Sequence, residues 1–220
     1  MVRYQKENAY EYENGFILTS AIWRMGNILS HYELYKKILN VPGEIVELGV
    51  FKGSSFIQFG TFRELLENEN ARKIIGFDAF GKFPGGVLEG DNQFIKEWNE
   101  ETNGDFLSKK ELENILDSKG INNYELIKGD ILTTVDEYLQ ENPYVRIALL
   151  HIDCDIYEPS KKGLESLFDK VVRGGVIVFD DYGVVEGETI AVDEFLESHP
   201  EYSLKRYTFS HMKPSYIVKQ

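Results

Sequence analysis

The segment LLHIDCDIYEPSKKGLESLFDKVVRGGVIVFDDYG, which runs from Leu149 to Gly183, contains the pattern that decides the fold. An apolar run predicts a strand that ends in acidic residues, a helical stretch follows, and a second apolar run again ends in acidic residues. A strand, a crossover helix and a second strand form the repeating unit of a parallel sheet. The segment therefore predicts an α/β fold with carboxylates at the ends of two neighbouring strands.

The same alternation extends over most of the chain. Strands are predicted over 44–50, 73–78, 124–128, 147–153 and 176–180, with late strands over 202–207 and 215–219. Helices are predicted over 16–39 (one helix or a broken pair), 53–66, 108–118, 131–140, 158–172 and 188–198. Apolar strands alternating with helices favour a doubly wound, mostly parallel seven-stranded sheet with helices on both faces. We expect one domain over 1–220, with a helical arm over 1–40 and a lid loop over 79–105.

The composition limits the class of protein. The 220 residues are 42% hydrophobic and 13% aromatic, enough for a substantial core, and the formal charge is −13. That charge argues against broad binding to nucleic acid or to an anionic membrane. The single cysteine, Cys154, fits a reducing compartment, and neither a signal peptide nor a membrane span is evident. We therefore expect a cytoplasmic protein, and the aromatic-rich arm is compatible with a homo-oligomer.

Residues that follow the strands are the candidates for a site, because parallel sheets bind ligands beyond the carboxyl ends of their strands. After the first strand, VELGVFKGSS offers Glu47, two glycines and the free N–H groups of a helix start. The acid suits a ligand that carries a cation, although the glycines also have a packing explanation. Asp78 ends the second strand at a spacing typical of ribose binding, and Phe80 could lie against a nucleoside. Asp130 follows the third strand, either as a ligand contact or as a helix N-cap.

The acids after the fourth and fifth strands form the most specific pattern. In the strand order 3-2-1-4-5 these strands are neighbours, about 4.8 Å apart, so Asp153 and Asp180 emerge side by side with Asp181 next along the chain. Such carboxylates raise one another's pKa unless a cation lies among them. Oxygen ligands without a histidine and cysteine cluster favour Mg²⁺ or Mn²⁺. Asp155 could reach the same cleft as a general base. A simple turn and a solvated strand end remain the alternative.

The histidines carry less information. His151 precedes Asp153 by two residues and therefore shares its side of the strand, where it is a base, a partner of the acids or a structural histidine. His31, His199 and His211 show no companion in the sequence.

Four segments together resemble the macrocin O-methyltransferase family. They are VPGEIVELGVFKGSS, GFDAFGKFP, the block HIDCDIYEPSKKGLESLFDKVVRGGVIVFDDYG, and ETIAVDEFL, in the order of the family. The resemblance implies a class I, Rossmann-like methyltransferase that depends on S-adenosylmethionine and a metal ion and modifies sugar hydroxyls of natural products. The loop over 79–105 departs most from the family, so the resemblance leaves the acceptor open.

The resemblance also implies roles for particular residues. Glu47 and Gly49 would line the methionine part of the cofactor, Asp78 would hold its ribose and Asp130 would lie near its adenine. The full set of predicted cofactor residues is Glu47, Gly49, Gly53, Ser54, Asp78, Phe80, Asp130, Ile131, Thr19 and Arg24. Asp153, Asp180 and Asp181 would bind Mg²⁺ or Mn²⁺, and Asp155 would take the proton of the acceptor hydroxyl. The alternatives are a catechol-type small-molecule methyltransferase, a metal-dependent hydrolase, and a non-catalytic nucleotide- or sugar-binding module.

Overall fold

The computed structural model describes residues 5–210 and 213–220. Seven strands form one sheet: β1 Glu44–Leu48, β2 Ile74–Asp78, β3 Tyr124–Lys128, β4 Ile147–Ile152, β5 Val171–Phe179, β6 Lys205–Arg206 and β7 Ser215–Val218. The helices are α1 Ala9–Thr19, α2 Ile22–Lys37, α3 Ser54–Leu66, α4 Glu89–Glu101, α5 Lys109–Lys119, α6 Ile131–Glu141, α7 Tyr157–Leu167 and α8 Glu186–Ser198.

The strand order is β3-β2-β1-β4-β5-β7-β6. The first five strands are parallel, and β7 pairs antiparallel with both β5 and β6. This order confirms the predicted arrangement 3-2-1-4-5 and the predicted antiparallel pair at the end. The strand order reverses between β1 and β4, which is the place where open α/β sheets bind their ligands.

Two apolar layers cover the sheet, one on each face. Alternate residues of a strand point to opposite faces, so Ile45 belongs to one layer and Val46 to the other. Helices α2, α3 and α5 contribute to the first layer, and α6, α7 and α8 contribute to the second. Burial of each large apolar side chain contributes about 1.5–3 kcal/mol, so these two layers hold the strand ends rigidly in place.

Some predicted boundaries were wrong. The segment predicted over 16–39 as one helix or a broken pair is a pair, because Ser20 and Ala21 between α1 and α2 have extended backbones, but its first helix begins at Ala9 rather than at residue 16. The helix predicted over 158–172 ends at Leu167, and the β-branched Val171 and Val172 belong to β5 instead. The late strand predicted over 202–207 is reduced to Lys205–Arg206.

The N-terminal helices lie at the outside of this fold. Helix α1 has no buried residue, whereas α2 buries one face against the sheet through residues that include Leu34 and Tyr35. Within the described part of the chain, no helix has both the length and the apolar character that crossing a membrane requires.

Candidate functional site

The carboxyl ends of β1, β4 and β5 meet at one point of the sheet edge. The backbone N–H of Asp153 donates to the carbonyl of Leu48 at 2.9 Å, and that of Asp180 donates to Ile152 at 3.0 Å. These two hydrogen bonds extend the ladder by one residue, so the two aspartates leave their strands side by side. One carboxylate oxygen from each of Asp153, Asp180 and Asp181 lies within 4.8 Å of the others. We call these three residues and Asp155 the acid cluster.

The acid cluster carries strongly perturbed carboxyl groups. Burial and the neighbouring Asp180 raise the pKa of Asp153 well above its usual value. Burial and the Asp181 carboxyl group, which shares a hydrogen bond with Asp155, raise the pKa of Asp155 in the same way. Asp180 is the exception: burial opposes its ionisation, but hydrogen bonds from His151 and His31 outweigh that effect and hold its pKa well below the usual value. Burial and mutual repulsion therefore disfavour the charged forms of Asp153 and Asp155, whereas the two imidazoles favour the charged form of Asp180.

Two imidazoles converge on Asp180. His31 Nε2 lies 3.2 Å and His151 Nε2 lies 3.4 Å from the same oxygen, Oδ1. The prediction that His31 has no companion was wrong, because its partner lies 149 residues further along the chain. His199 Nδ1 donates locally, to the carbonyl of Phe195 at 2.8 Å, and His211 lies outside the described residues. His151 is a fully buried partner of the acids.

The other ring nitrogen of His151 faces Glu47, which is fully buried. The distance from Nδ1 to Oε2 is 3.6 Å, and neither atom has a hydrogen-bond partner among the described residues. The other Glu47 oxygen accepts a hydrogen bond from Ser55 Oγ at 2.8 Å. Glu47 therefore lies beneath the cleft, in contact with His151 and α3.

Two further charged residues, Lys213 and Glu188, belong to the site, and the sequence pattern predicted neither of them. Lys213 forms an ion pair with Asp181. Glu188, at the start of α8, is fully buried and accepts a hydrogen bond from the N–H of Asp181 at 2.9 Å. Glu188 lies in the quoted segment ETIAVDEFL, but its spacing from the aspartates gives no local signal. Lys213 could be found only from the antiparallel pairing of β5 and β7.

Backbone strain marks the same loops. Among the described non-glycine residues with positive φ are Phe51 after β1, Phe80 after β2 and Asp155 after β4. Asp155 has φ 64°, and the next N–H, that of Ile156, donates to the carbonyl of Cys154 at 2.7 Å. Strain of this kind costs about 1–3 kcal/mol and concentrates at functional sites.

A cleft of about 360 Å³ opens above the strand ends. The predicted site residues that line it are Gly49, Asp78, Asp130, Ile131, Asp153, Asp155, Asp180 and Asp181. Gly49 has φ 88°, and a Cβ there would lie 1.8 Å from the carbonyl oxygen of Asp153, so glycine is required where β1 meets β4. The packing explanation for this glycine is therefore correct, and its backbone also lines the cleft.

Two of the lining aspartates organise the loops around them. Asp78 Oδ2 accepts hydrogen bonds from the N–H groups of Val50 and Phe51, both at 2.8 Å, and its Oδ1 accepts one from Phe80. Asp130 Oδ1 accepts from Leu132 N at 2.9 Å and caps α6, so the capping alternative is correct for its geometry. Both carboxylates nevertheless border the cleft.

The structure does not bring the remaining predicted cofactor residues to the cleft. Two of them, Glu47 and Phe80, are buried under it. Gly53 is buried against Leu112, and Ser54 is exposed at the start of α3. Both residues of the N-terminal arm are exposed: Thr19 donates to the carbonyl of Gly15, and the Arg24 guanidinium lies over the ring of Trp23. Their roles stay predictions.

Aromatic side chains line the part of the cleft away from the acid cluster. Phe83, Phe94, Trp98 and Phe106 contribute, together with Phe51. The rings of Phe94 and Trp98 stack at 6.0 Å, and Trp98 contacts Phe51 at 5.3 Å. Trp98 and Phe94 belong to α4, so the segment over 79–105 contains a helix that lines the cleft, and its function as a lid stays a prediction.

The donor set of the acid cluster fits a hard divalent cation. Three carboxylates lie close enough to share one ion, and oxygen ligands suit Mg²⁺ or Mn²⁺. Lys213 supplies a single positive charge beside them, to Asp181. The cleft also suits a cofactor that contains a nucleoside, because acidic residues line it at the ends of β2 and β3 and aromatic side chains line it as well.

The chain is similar to methyltransferases of natural-product biosynthesis. It is 28% identical to a demethyldecarbamoylnovobiocin O-methyltransferase of Streptomyces niveus, over 71% of this chain and 59% of that protein. It is 27% identical to an 8-demethyl-8-(2,3-dimethoxy-alpha-L-rhamnosyl)-tetracenomycin-C 4'-O-methyltransferase of Streptomyces olivaceus, over 66% of this chain and 54% of that protein. The matched region thus spans little more than half the length of these curated relatives.

A solved structure and a family model extend the comparison. The crystal structure of the calicheamicin methyltransferase CalS11 matches with a TM-score of 0.72 and 28% identity, covering 99% of this chain and 88% of that chain. This match confirms the predicted class I methyltransferase fold. The model of the family described as macrocin O-methyltransferase (TylF) matches residues 23–202, a range that contains the whole acid cluster. The chain therefore belongs to the macrocin O-methyltransferase family, as the resemblance of its sequence segments predicted.

Proposed function

We propose that this protein transfers a methyl group from S-adenosylmethionine to a hydroxyl group of a sugar or glycoside, with the help of Mg²⁺ or Mn²⁺. The observation that carries the proposal is the acid cluster, in which three carboxylates converge at the floor of the cleft and a fourth lies beside them. A purely binding module has no need of four clustered carboxylates. The names of the relatives, one of which methylates a rhamnosyl compound, support a sugar acceptor.

The acids have separate tasks in this proposal. Asp153, Asp180 and Asp181 hold the metal ion, which would favour loss of the proton from an acceptor hydroxyl. Asp155 receives that proton while the acceptor oxygen bonds to the methyl carbon and the carbon–sulfur bond of the sulfonium breaks. Asp155 lines the cleft beside the three aspartates that hold the metal ion, where the hydroxyl group of a bound acceptor would lie within its reach.

The strand-end residues position the cofactor. Asp78 and Asp130 border the cleft at the ends of β2 and β3, where a ribose and an adenine would bind, and the backbone of Gly49 lines the cleft beside β1. The negative charge of the site favours the positive sulfonium of S-adenosylmethionine over its neutral product. Alignment of the two substrates in one cleft supplies much of the remaining rate.

A catechol-type acceptor is the second candidate. The aromatic wall formed by Phe94 and Trp98 offers a stacking surface to a planar aromatic acceptor. Two adjacent phenolic oxygens would also chelate a divalent ion. Turnover measured on matched panels of glycosides and catechols distinguishes the two acceptor classes.

The direct test is methyl transfer by the purified chain, followed through release of S-adenosylhomocysteine. We expect turnover on at least one glycoside with Mg²⁺ present, and none after the metal is removed with EDTA. Asp153→Ala should also abolish transfer while the thermal unfolding temperature stays at or above that of the wild type, because the change relieves repulsion. Asp136→Ala, an exposed aspartate of α6, is the matched control and should remain active.

Each result bears on one part of the proposal. Full activity in chelator would exclude the metal role and leave the methyltransferase assignment standing. An absence of measurable affinity for S-adenosylmethionine in calorimetry would instead favour a binding module on the same fold. Turnover that releases no S-adenosylhomocysteine would favour a metal-dependent hydrolase.

A further inference from the structure

Helix α2 reaches the acid cluster through one side chain. His31 is 2% exposed, and its Nε2 lies 3.2 Å from Asp180 Oδ1. The carboxylate belongs to the end of β5, whereas His31 belongs to a helix near the N-terminus. This contact therefore joins an element outside the parallel sheet to a residue that the proposed function assigns to the metal ion.

The imidazole of His31 is held on three sides. Its Nδ1 lies 2.9 Å from Gln58 Oε1 on α3. Its ring contacts the rings of Phe59, at 5.2 Å, and His151, at 5.1 Å. An amide side chain offers both a donor and an acceptor, so Gln58 can fix the ring in either tautomer. The ring orientation is thus determined before any ligand binds.

The helix that carries His31 is also fixed. Leu34, Tyr35 and Ile38 follow at helical spacing and are all fully buried in the core layer on this face of the sheet. Ser30 donates to the carbonyl of Gly26 within the same buried face. His31 therefore projects toward Asp180 from a rigid base, and its position does not depend on the exposed helix α1.

Both imidazoles contact the same oxygen of Asp180. His31 and His151 lie 3.2 Å and 3.4 Å from Oδ1, and neither contact uses Oδ2. Two contacts to one oxygen restrain the position of that oxygen. A carboxylate that is already restrained loses less conformational freedom when it coordinates an ion.

We propose that His31 is a positioning residue of the metal site, which holds Asp180 in the orientation for ligating a divalent ion and so makes α2 part of the metal centre. The inference rests on the proposed function, because it presupposes that Asp180 is a ligand. Partners of metal ligands usually contribute about 10–100-fold in metal affinity, which sets the expected size of the effect. A role in packing alone would change stability and leave metal affinity unaltered.

The test is a titration of the full chain with Mn²⁺ alone, in which electron paramagnetic resonance measures the free ion. We expect His31→Leu to weaken Mn²⁺ binding about 10–100-fold. His31→Gln places an amide N–H near the position of Nε2 and should restore affinity to within about threefold of the wild type. The matched control is His199→Leu, which removes a half-buried histidine that bonds to its own helix and should leave Mn²⁺ affinity unchanged.

The outcomes separate this inference from the proposed function. Wild-type chain that binds no Mn²⁺ overturns the metal part of the proposed function and the inference with it. If the wild type and His31→Leu bind Mn²⁺ with the same affinity, the inference is overturned and the proposed function stands. If His31→Leu does not fold, Gln58→Leu decides, because it removes only the outer support of the ring: weaker binding supports the inference, and unchanged affinity overturns it.

Discussion

Two buried charged clusters lie at opposite edges of the same sheet, and they are built in opposite ways. The arginine cluster, formed by Arg63, Arg72, Glu67 and Tyr35, lies where β1, β2 and β3 begin. Arg72 binds both oxygens of Glu67 at 2.9 Å and donates to the carbonyls of Val41, Gly43 and Ile38. Arg63 is fully buried and donates to the carbonyls of residues 72, 122 and 123. Every guanidinium nitrogen of the two arginines has a partner.

The opposite edge, where the strands end around the acid cluster, lacks such complete pairing. Four buried side-chain atoms have no hydrogen-bond partner among the described residues, and all belong to this region: Glu47 Oε2, Asp91 Oδ1, His151 Nδ1 and Glu188 Oε2. The pKa values differ accordingly. Burial and Asp180 raise the pKa of Asp153, whereas at Glu67 hydrogen bonds from Arg72 and Tyr35 outweigh burial and lower the pKa.

The difference indicates what each cluster is for. An unpaired buried polar atom costs about 1–3 kcal/mol, and a fold can avoid that cost, as the arginine cluster does. A region that keeps several such atoms beside strained backbone is destabilised in the absence of a ligand. We therefore expect changes in the acid cluster to reduce activity without loss of stability, and changes in the arginine cluster to have the reverse effect.

Asp155→Asn should have the largest effect on activity. Asparagine keeps the shape of the side chain and tolerates the positive φ of this position, but it cannot accept the proton. We expect kcat for methyl transfer to fall by about 10²–10⁴-fold, the usual contribution of a general base. The free energy of unfolding should stay the same or rise, because one repelling carboxylate is removed. Steady-state kinetics and urea denaturation measure the two quantities.

Asp136→Asn provides the comparison for that experiment. Asp136 pairs with Lys162 on the protein surface, where its side chain is half exposed, so the same chemical change should leave kcat unaltered. A kcat for Asp155→Asn above about a tenth of the wild-type value would exclude Asp155 as the base. Lower stability of Asp155→Asn would contradict the proposed contrast between the two clusters.

Arg72→Met should have the largest effect on stability. The change leaves Glu67 without its bidentate partner and removes one donor from each of three carbonyls, those of Ile38, Val41 and Gly43. Breaking a buried ion pair by removal of one partner costs about 3–5 kcal/mol, and both side chains here are nearly buried. We expect that loss in urea denaturation, with an unchanged rate of methyl transfer per folded molecule because the arginine cluster lies at the other edge of the sheet.

Lys162→Met is the surface counterpart. It removes the ion pair with Asp136, at 2.6 Å, and should cost less than about 1 kcal/mol because water screens the pair. A similar small cost for Arg72→Met would mean that the buried position of the arginine cluster has no special value for stability.

The sequence predicted the acid cluster because its members follow a local rule. Asp153 and Asp180 each come directly after an apolar strand, and parallel strands end at one edge, so their convergence follows from the strand order alone. The order 3-2-1-4-5, which was assumed from the sequence, is correct, whereas the alternation of strands and helices predicted only the parallel sheet. The same reasoning placed Asp78 and Asp130 at the cleft.

The partners of the acid cluster obey no local rule. His31 meets Asp180 across 149 residues, and the contact depends on how α2 packs across the sheet. Lys213 meets Asp181 through the last strand pair. Glu47 differs in another way: its side chain points to the sheet face covered by α2 and α3, where it accepts a hydrogen bond from Ser55 and faces His151, while its predicted cofactor role stays a prediction. Side-chain direction at a strand end depends on the pleat and on neighbouring helices, which the sequence pattern does not specify.

Asp130→Ala should have the smallest effect and resolves the remaining ambiguity about this residue. Loss of the helix cap, in which Oδ1 accepts from Leu132 N at 2.9 Å, should cost about 1 kcal/mol of unfolding free energy. If Asp130 also contacts the cofactor, as the resemblance implies, KM for S-adenosylmethionine should rise severalfold while kcat changes little. Urea denaturation and steady-state kinetics with varied cofactor measure both effects.

Ser108→Ala separates the two roles of Asp130, because it removes a cap of the same kind at a different place. Ser108 Oγ accepts from Glu111 N at 3.3 Å and caps α5, and Ser108 does not line the cleft. The Ser108→Ala variant should lose about 1 kcal/mol of unfolding free energy, as Asp130→Ala does, and keep the wild-type KM for S-adenosylmethionine. If both variants lose stability and neither changes KM, capping alone accounts for Asp130, and proximity of an acid to the cleft is then insufficient evidence for cofactor binding. That result would leave the incomplete pairing of buried polar atoms, as at Glu47 and Glu188 beside the acid cluster, as the more reliable sign of function at this edge of the sheet.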